Sequence, residues 1–514
     1  MQEWIEKTCP QDGDTKGGGR YILQSRLEEY AARGLYPFHM PGHKRRLEPA
    51  PGLPAAWDVT EVPGTDDLHD ASGILQEAMT RTAQLCGAQR TWYLVNGSTC
   101  GLLAGIRALA KRNSTVICAR NCHKAVYHAL ELAGCHVHWL MPPVDPVWGI
   151  CGSITAVQVA DAVRRHPSVK AVILTSPTYE GVLSDIEGIC RICHARNIPV
   201  LVDEAHGAHL IPLSRAAGFP AGALSCGADI VVQSPHKTLP SLTQTALLHM
   251  QGNLVDPALI EDELDIFETS SPSYPLMVSL DGCTGILREQ GEELFDKWAA
   301  GIGRFDAKVR ALQKIRLLRR TLPAGAETET SAIREDLYDP GKILIDAGPA
   351  GMTGAELAGV LRREWKMETE MTQGNLLLAM TSLCDEEDAL DRLADALMRI
   401  EASAVEPLQG KTETVFSQDG SAASGIAQAL SRLRPVSMCS LSEAYSQEAV
   451  RVPVCEAGGK ISARCLYFYP PGIPFLAPGE LITDDILRLL AQAGRSGGPD
   501  CRGIRDGEIL CLRE

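Results

Sequence analysis

Val231-Val232-Gln233-Ser234-Pro235-His236-Lys237-Thr238-Leu239 decides how this chain is read. An apolar strand runs out into Ser-Pro-His, and a lysine stands at its mouth. A second apolar run, Thr245-Ala246-Leu247-Leu248-His249, follows closely. Upstream, Ile198-Pro199-Val200-Leu201-Val202 ends at Asp203, continued by Glu204-Ala205-His206-Gly207-Ala208-His209. Between about 76 and 250, seven such runs alternate with helical segments, at 91–95, 115–119, 136–141, 171–176, 199–203, 229–233 and 245–250. That alternation predicts an α/β fold with a mostly parallel seven-stranded sheet covered by helices on both faces. Ligands of such sheets collect at the carboxyl ends of the strands, where Asp203 and Lys237 fall.

A strand-end lysine is badly placed for packing but well placed to bond covalently to an aldehyde, and a strand-end aspartate can keep a ring nitrogen protonated. Pyridoxal 5'-phosphate needs both. Its phosphate requires backbone N–H groups at a helix start. Asn96-Gly97-Ser98-Thr99-Cys100-Gly101 supplies them after the 91–95 run and before an apolar helix expected at 102–110. Gly97 permits close approach, and Ser98 and Thr99 add hydroxyls; read alone, the segment is better taken as a helix N-cap, and it becomes a phosphate cup beside Asp203 and Lys237 in the same sheet. Ala205 is small enough to lie under a flat ring. His123, in Arg120-Asn121-Cys122-His123-Lys124, follows the 115–119 run and can stack on such a ring. Ser234 offers a further phosphate contact. His206 and His236 can reach phosphate, ring hydroxyl or substrate carboxylate, and the sequence does not choose among these. Lys237, partly desolvated and near a cationic ring, has its amine pKa lowered and becomes a usable nucleophile.

Composition narrows the class. The 514 residues exceed one core, with 45% hydrophobic and 22% charged residues as in ordinary globular proteins. A net charge of −15 disfavours nucleic acid or an anionic membrane as partner. The 17 cysteines are scattered through apolar runs and suggest no disulfide framework. Cys190-Arg191-Ile192-Cys193 has a CxxC spacing without a matching second pair, so buried helix cysteines are expected and no metal site. The N-terminus lacks an apolar core and leads into a Gly-rich stretch at 12–19, and no run approaches the ~20 apolar residues of a membrane span. A cytoplasmic, reduced protein is expected.

The expected organisation is a lead-in at 1–75, a cofactor-binding large domain at 76–289, a small α/β domain at 290–400, a linker at 401–435 and a C-terminal domain at 436–514. A segment around Ser270-Ser271-Pro272-Ser273-Tyr274 leads into a long helix.

Several ordered stretches together resemble the Orn/Lys/Arg decarboxylases of pyridoxal-phosphate fold type I, in the short bacterial form without an N-terminal receiver-like domain. They are His39-Met40-Pro41-Gly42-His43-Lys44, Asp66-Asp67-Leu68-His69, Leu94-Val95-Asn96-Gly97-Ser98-Thr99, Arg120-Asn121-Cys122-His123-Lys124, Pro177-Thr178-Tyr179-Glu180-Gly181, Asp203-Glu204-Ala205-His206-Gly207, Ser234-Pro235-His236-Lys237, Tyr469-Pro470-Pro471-Gly472-Ile473-Pro474 and Ala477-Pro478-Gly479-Glu480. The resemblance implies that Lys237 carries the cofactor, Asp203 pairs with the ring nitrogen, His123 stacks, and Ser98, Thr99 and Ser234 hold the phosphate. It further implies decarboxylation of arginine, lysine or ornithine to CO2 and a polyamine-type amine, and a homodimer or larger homo-oligomer through the segment from Thr269 to Tyr274. Arg45-Arg46 and Glu180 depart from the family pattern on the substrate side. An aminotransferase or other lyase of the same fold is the alternative. It usually grips the α-carboxylate with a late arginine, and Gly374-Asn375-Leu376-Leu377-Leu378-Ala379-Met380-Thr381 contains none. A catalytically dead relative is disfavoured by intact Lys237, Asp203 and His123. Glu61, Asp66, Asp67, Asp70, Glu180 and Glu480 are the candidate partners for the substrate's distal cation.

Overall fold

Seven strands make the central sheet: β1 (Arg90–Leu94), β2 (Thr115–Ala119), β3 (His136–Leu140), β4 (Val172–Thr175), β5 (Val200–Glu204), β6 (Ile230–Gln233) and β7 (Ala246–Met250), in spatial order β1-β7-β6-β5-β4-β2-β3. Strands β2 to β6 pair in parallel, while β7 runs antiparallel between β1 and β6. The expected runs meet these bounds within one residue. The computed structural model describes residues 20–33, 55–322, 332–403, 433–469, 472–493 and 500–513. The stretch 39–46, Pro470-Pro471 and most of the expected linker 401–435 lie outside them.

The strands read as unbroken apolar runs because both faces are covered. Ile117, Val172, Val200, Val202 and Val231 enter one core, whereas Val116, Cys118, Ile173, Leu201, Ile230 and Val232 enter the other. Each such side chain contributes roughly 1.5–3 kcal/mol on burial. The helix expected at 102–110 spans Gly97–Leu109 instead. Two glycines let it approach the sheet: a Cβ at Gly101 would lie 2.6 Å from Leu94 Cδ1, and one at Gly105 would lie 3.0 Å from Leu201 Cδ1. The helix therefore begins at the carboxyl end of β1 without a side-chain cap.

The 35-residue helix Tyr274–Lys308 carries the chain onward. Its first turns bury Met277, Val278 and Leu280 against the lead-in helix residues Leu23 and Leu27. Its later turns bury Phe295, Trp298, Ile302 and Phe305 in the large core. The expected boundary at 289/290 falls inside this helix. The small unit is an antiparallel sheet of β8 (Arg316–Leu317), β9 (Lys342–Asp346), β10 (Met371–Gln373) and β11 (Leu376–Met380), in order β10-β11-β9-β8, with helices Gly354–Trp365 and Ala389–Ser403.

At the C-terminal end, two three-stranded sheets and the helix Asp484–Ala493 surround a core that includes Leu466, Phe468, Phe475, Leu476 and Leu489. This unit leans on the large sheet where β2 ends, with Lys124 N donating to Gly472 O at 3.3 Å. Cys190 and Cys193 lie buried in the helix Ile186–His194, and burial pushes the Cys193 thiol up to about 12. Among the described residues, no helix is long and apolar enough to cross a membrane.

Candidate active site

The carboxyl ends of β2, β4, β5 and β6 open onto one cavity of about 590 Å³. Seven of the ten residues singled out in the sequence line it: Ser98, His123, Asp203, Ala205, His206, His236 and Lys237. Gly97 and Thr99 sit in the first turn of the helix Gly97–Leu109, outside the lining, and Thr99 is exposed. Successive helical residues point about 100° apart, so Ser98 and Thr99 cannot both face the cavity. Ser234 lies just beneath it, fully buried, as the N-cap of the short helix Pro235–Thr238.

Lys237 is lifted from β6 by that single helical turn, and its Nζ lies 3.1 Å from His206 Nε2. Burial lowers its pKa against the opposing attraction of Asp203 and Glu370, so a larger amine fraction persists than for a solvated lysine. Asp203 is buried near the end of β5, and its Oδ1 accepts from Ala205 N at 3.1 Å. Burial pushes its carboxyl pKa up, with Lys237 opposing, so a nearby cationic ring nitrogen is the partner its charged form lacks.

His123 is the N-cap of the helix Lys124–Ala133, its Nδ1 accepting from Ala125 N at 3.2 Å. Burial, with Lys237 and Lys124 nearby, pushes its imidazole down to about 4, so it is a neutral, flat ring at physiological pH. The Gly472 backbone, φ +89°, passes so close that a Cβ there would lie 3.5 Å from His123 Nε2. Tyr469 and Ile473 bring the C-terminal unit into the cavity wall. His236 is oriented away from substrate duty by one nitrogen, its Nδ1 lying 2.7 Å from Thr245 O.

None of the six carboxylates proposed for the substrate's distal group lines this cavity. Asp66 caps the helix Ile74–Cys86 by accepting from Gly73 N at 2.8 Å and Leu75 N at 2.9 Å. Asp67 accepts from His69 N at 2.9 Å, and Glu61 from Thr60 Oγ1 at 2.5 Å. Asp70 faces two other clefts. Glu180 is buried, and Glu480 is paired with Arg120 at 2.8 Å. Besides Asp203, the carboxylate that lines the cavity is Glu370, just before β10, which accepts from Tyr179 Oη at 2.5 Å. Nothing local marked it, because its neighbour Tyr179 is 191 positions away.

Comparison with known proteins decides what kind of chain carries this cavity. Residues 23–389 match the Orn/Lys/Arg decarboxylase major domain, and 431–497 match the C-terminal domain of the same family. The chain belongs to the Orn/Lys/Arg decarboxylase family. It is 28% identical over 505 residues to an arginine decarboxylase of Bacillus subtilis (strain 168), covering 96% of this chain and 97% of that one. An uncharacterized protein YaaO of the same organism is 32% identical over 485 residues, 91% of this chain and 93% of its own length. The lysine decarboxylase LdcF of Francisella novicida superposes with a TM-score of 0.78 at 19% identity, covering 96% of this chain and 81% of that one. That likeness fixes the fold as pyridoxal-phosphate fold type I.

As a member of this decarboxylase family the chain is a carboxy-lyase, and pyridoxal 5'-phosphate is its cofactor. The residues at hand suit that group. Among the described residues, the buried Ser234 Oγ, Thr175 Oγ1 and Asn121 Oδ1 find no hydrogen-bond partner in the protein. Buried polar atoms rarely stay unsatisfied, so Thr175 and Asn121 in the cavity lining, with Ser234 three positions before Lys237, fit a polar ligand. The uncapped N-terminus of the helix Gly97–Leu109 fits a phosphate.

Proposed function

We propose that this decarboxylase acts on a basic L-amino acid, arginine, lysine or ornithine, releasing CO2 and the corresponding amine. The observation that carries the reading is one cavity shared by Lys237, Asp203, His123 and Glu370. In this reading, Lys237 holds the cofactor covalently. Asp203 keeps the ring nitrogen protonated, and His123 lies against the ring over Ala205. The Ser98 and Ser234 hydroxyls receive the phosphate together with the backbone N–H groups of Gly97 and Thr99 at the helix start, with His236 at the rim. Bound pyridoxal phosphate supplies a sink for the electron pair released when a bond to Cα breaks.

The protein residues supply the rest. Tyr179, Met380, Tyr469 and Ile473 give the cavity apolar wall beside its charged groups. Glu370 faces the substrate's distal ammonium or guanidinium, and its hydrogen bond from Tyr179 fixes the carboxylate's orientation. A proton donor at the Lys237 side returns a proton to Cα. Relatives matched over nearly their whole length are named arginine decarboxylases, which puts arginine first among the three substrates. A homodimer is part of the same reading. Ile266, 63% exposed, lies three residues before the segment from Thr269 to Tyr274 that the family resemblance places at the subunit contact.

The test is product analysis of cofactor-loaded protein given each amino acid separately, following CO2 and amine. Agmatine, cadaverine or putrescine from one of them supports the reading and names the substrate. Keto-acid formation without CO2 would overturn it. Borohydride treatment followed by peptide mass spectrometry is expected to fix the cofactor on Lys237, and to fix none in Lys237→Ala.

A further inference from the structure

Behind the cavity wall lies a second buried lysine. Lys342 opens β9 and is 2% exposed, outside the cavity lining. Lysines are almost never buried this deeply unless paired, because desolvating an ammonium is costly. Yet among the described residues no carboxylate closes an ion pair with it. Asp339 Oδ1, three positions earlier, accepts from Gly341 N at 2.9 Å and lies 3.2 Å from His209 Nε2. The contact that Lys342 Nζ does make is to His206 Nδ1, at 3.4 Å. The other nitrogen of the same ring, Nε2, faces Lys237 Nζ at 3.1 Å. One imidazole thus bridges two lysine amines. Tyr179 packs on it, with ring centroids 4.7 Å apart, and holds its orientation. Space for Lys342 depends on Gly181, φ +101°, where a Cβ would lie 2.7 Å from Lys342 Cγ.

Hydrogen-bond chemistry limits what this arrangement can be. Burial and the two lysines drive the His206 pKa well below its usual value, so the ring is neutral, with one N–H and one lone pair. The lone-pair nitrogen accepts from an ammonium. The N–H nitrogen needs a partner with a lone pair, which only an unprotonated amine has. Both contacts are therefore satisfied when one lysine is ammonium and the other amine. We propose that His206 relays a single proton between Lys342 and Lys237, making Lys342 a positioning residue that sets the protonation of the cofactor-carrying lysine. This rests on the reading of Lys237 given above. In the transfer, a proton leaves Lys342 Nζ for His206 Nδ1 while the Nε2 proton passes to Lys237 Nζ. The imidazole ends as the other tautomer, and one positive charge has moved between the two amines. The relay keeps Lys237 nucleophilic while Lys342 holds the proton, and refills Lys237 when it has given a proton up.

The surrounding charges suit the exchange. Burial lowers Lys342 to about 8, with Lys237 adding to the effect and Asp339, Glu370 and Glu180 opposing it. Lys237 is lowered by burial against Asp203 and Glu370, and His123 and His236 stand near His206 without adding a counter-charge. Both amines therefore hold a proton less tightly than a solvated lysine does, which favours exchange between them.

The experiment follows covalent uptake of pyridoxal phosphate by cofactor-free full-length protein against pH, read by absorbance and by borohydride-fixed adduct at Lys237, alongside kcat of the loaded enzyme. Lys342→Met removes both the charge and the proton taker, and its uptake midpoint is expected to rise by about one pH unit or more. Lys342→Arg keeps a charge beside His206 but cannot release its proton. Its uptake midpoint is expected to stay near that of the wild type while kcat falls at least about tenfold. Unchanged midpoint and kcat in both folded variants would overturn the relay, as would equal losses in both. If neither variant folds, the wild type decides: Lys237 titrating like a solvated lysine near ~10.4 overturns the relay, and a midpoint clearly below that upholds it. No adduct at Lys237 in the wild type would instead remove the underlying functional reading.

Discussion

Arg120 Nη2 lies 2.8 Å from Glu480 Oε2, and the two side chains are 5% and 3% exposed. Arg120 follows β2 in the large sheet, whereas Glu480 belongs to the C-terminal unit, so one buried ion pair ties together the two pieces that wall the cavity. The guanidinium also reaches Tyr127 Oη and Phe475 O, and Glu480 Oε2 accepts from Ala477 N at 2.7 Å. Arg120 lies near the stacked Tyr127 and Trp139 rings, 5.2 and 5.0 Å from their centroids. Removing one partner strands the other charge, which costs about 3–5 kcal/mol for buried pairs. Glu480→Gln and Arg120→Met are each expected to lower Tm and to expose the C-terminal unit to limited proteolysis. Resistance to protease equal to the wild type would contradict this.

Ser234 gives a cleaner handle on the cofactor. Its hydroxyl is buried with no hydrogen-bond partner among the described residues, so Ser234→Ala removes nothing from the folded protein's own contacts. Hydrogen bonds to charged groups contribute about 1.5–3 kcal/mol, so pyridoxal phosphate should bind roughly 10–100-fold more weakly. Cofactor-free stability should stay level or rise slightly. Cofactor titration and urea unfolding measure the two separately.

Glu370→Gln keeps the shape and the Tyr179 hydrogen bond but deletes the charge facing the substrate's distal group. KM for arginine, lysine or ornithine should rise by about tenfold or more, with kcat affected less, because the contact lies far from the bond that breaks. Steady-state kinetics with the preferred amino acid tests this, and an unchanged KM would move the specificity contact elsewhere.

His249 makes the protein's stability depend on acid. It lies fully buried between Thr91 Oγ1 at 2.8 Å and Gln233 Oε1 at 3.1 Å, and burial pushes its imidazole down to about 3. The unfolded chain takes up the proton near ~6.5, well before the folded one. Stability from this group is therefore complete above that pH and is lost as pH falls toward about 3, by about 1.4 kcal/mol per unit. His249→Gln should flatten the acid limb of unfolding free energy against pH. An equally steep limb in the variant would assign the acid sensitivity to other groups.

The strands were legible in the chain because burial on both faces leaves continuous apolar runs, and the motifs sit where those runs end, whereas their spatial order was not. Lys237, Asp203 and His123 were readable for that reason: each is local to one strand end. The helix at Gly97 was not, because Gly101 and Gly105 weaken a helix in isolation and make sense only against Leu94 and Leu201. The distal carboxylate was also out of reach. Asp66, Asp67 and Glu480 look available in sequence but are consumed by a helix cap, a turn and an ion pair.

By itself, then, the amino-acid order determined the family, the parallel sheet and most of the residues that line the cavity, since periodicity and strand-end chemistry act over a few neighbouring residues. Only the tertiary structure decided that Glu370 of the small unit faces Lys237's cavity, and that Lys342, more than a hundred positions from His206, lies 3.4 Å from its ring. Those contacts join residues whose spacing in the chain carries no signal, and packing of the small and C-terminal units against the large sheet brings them together.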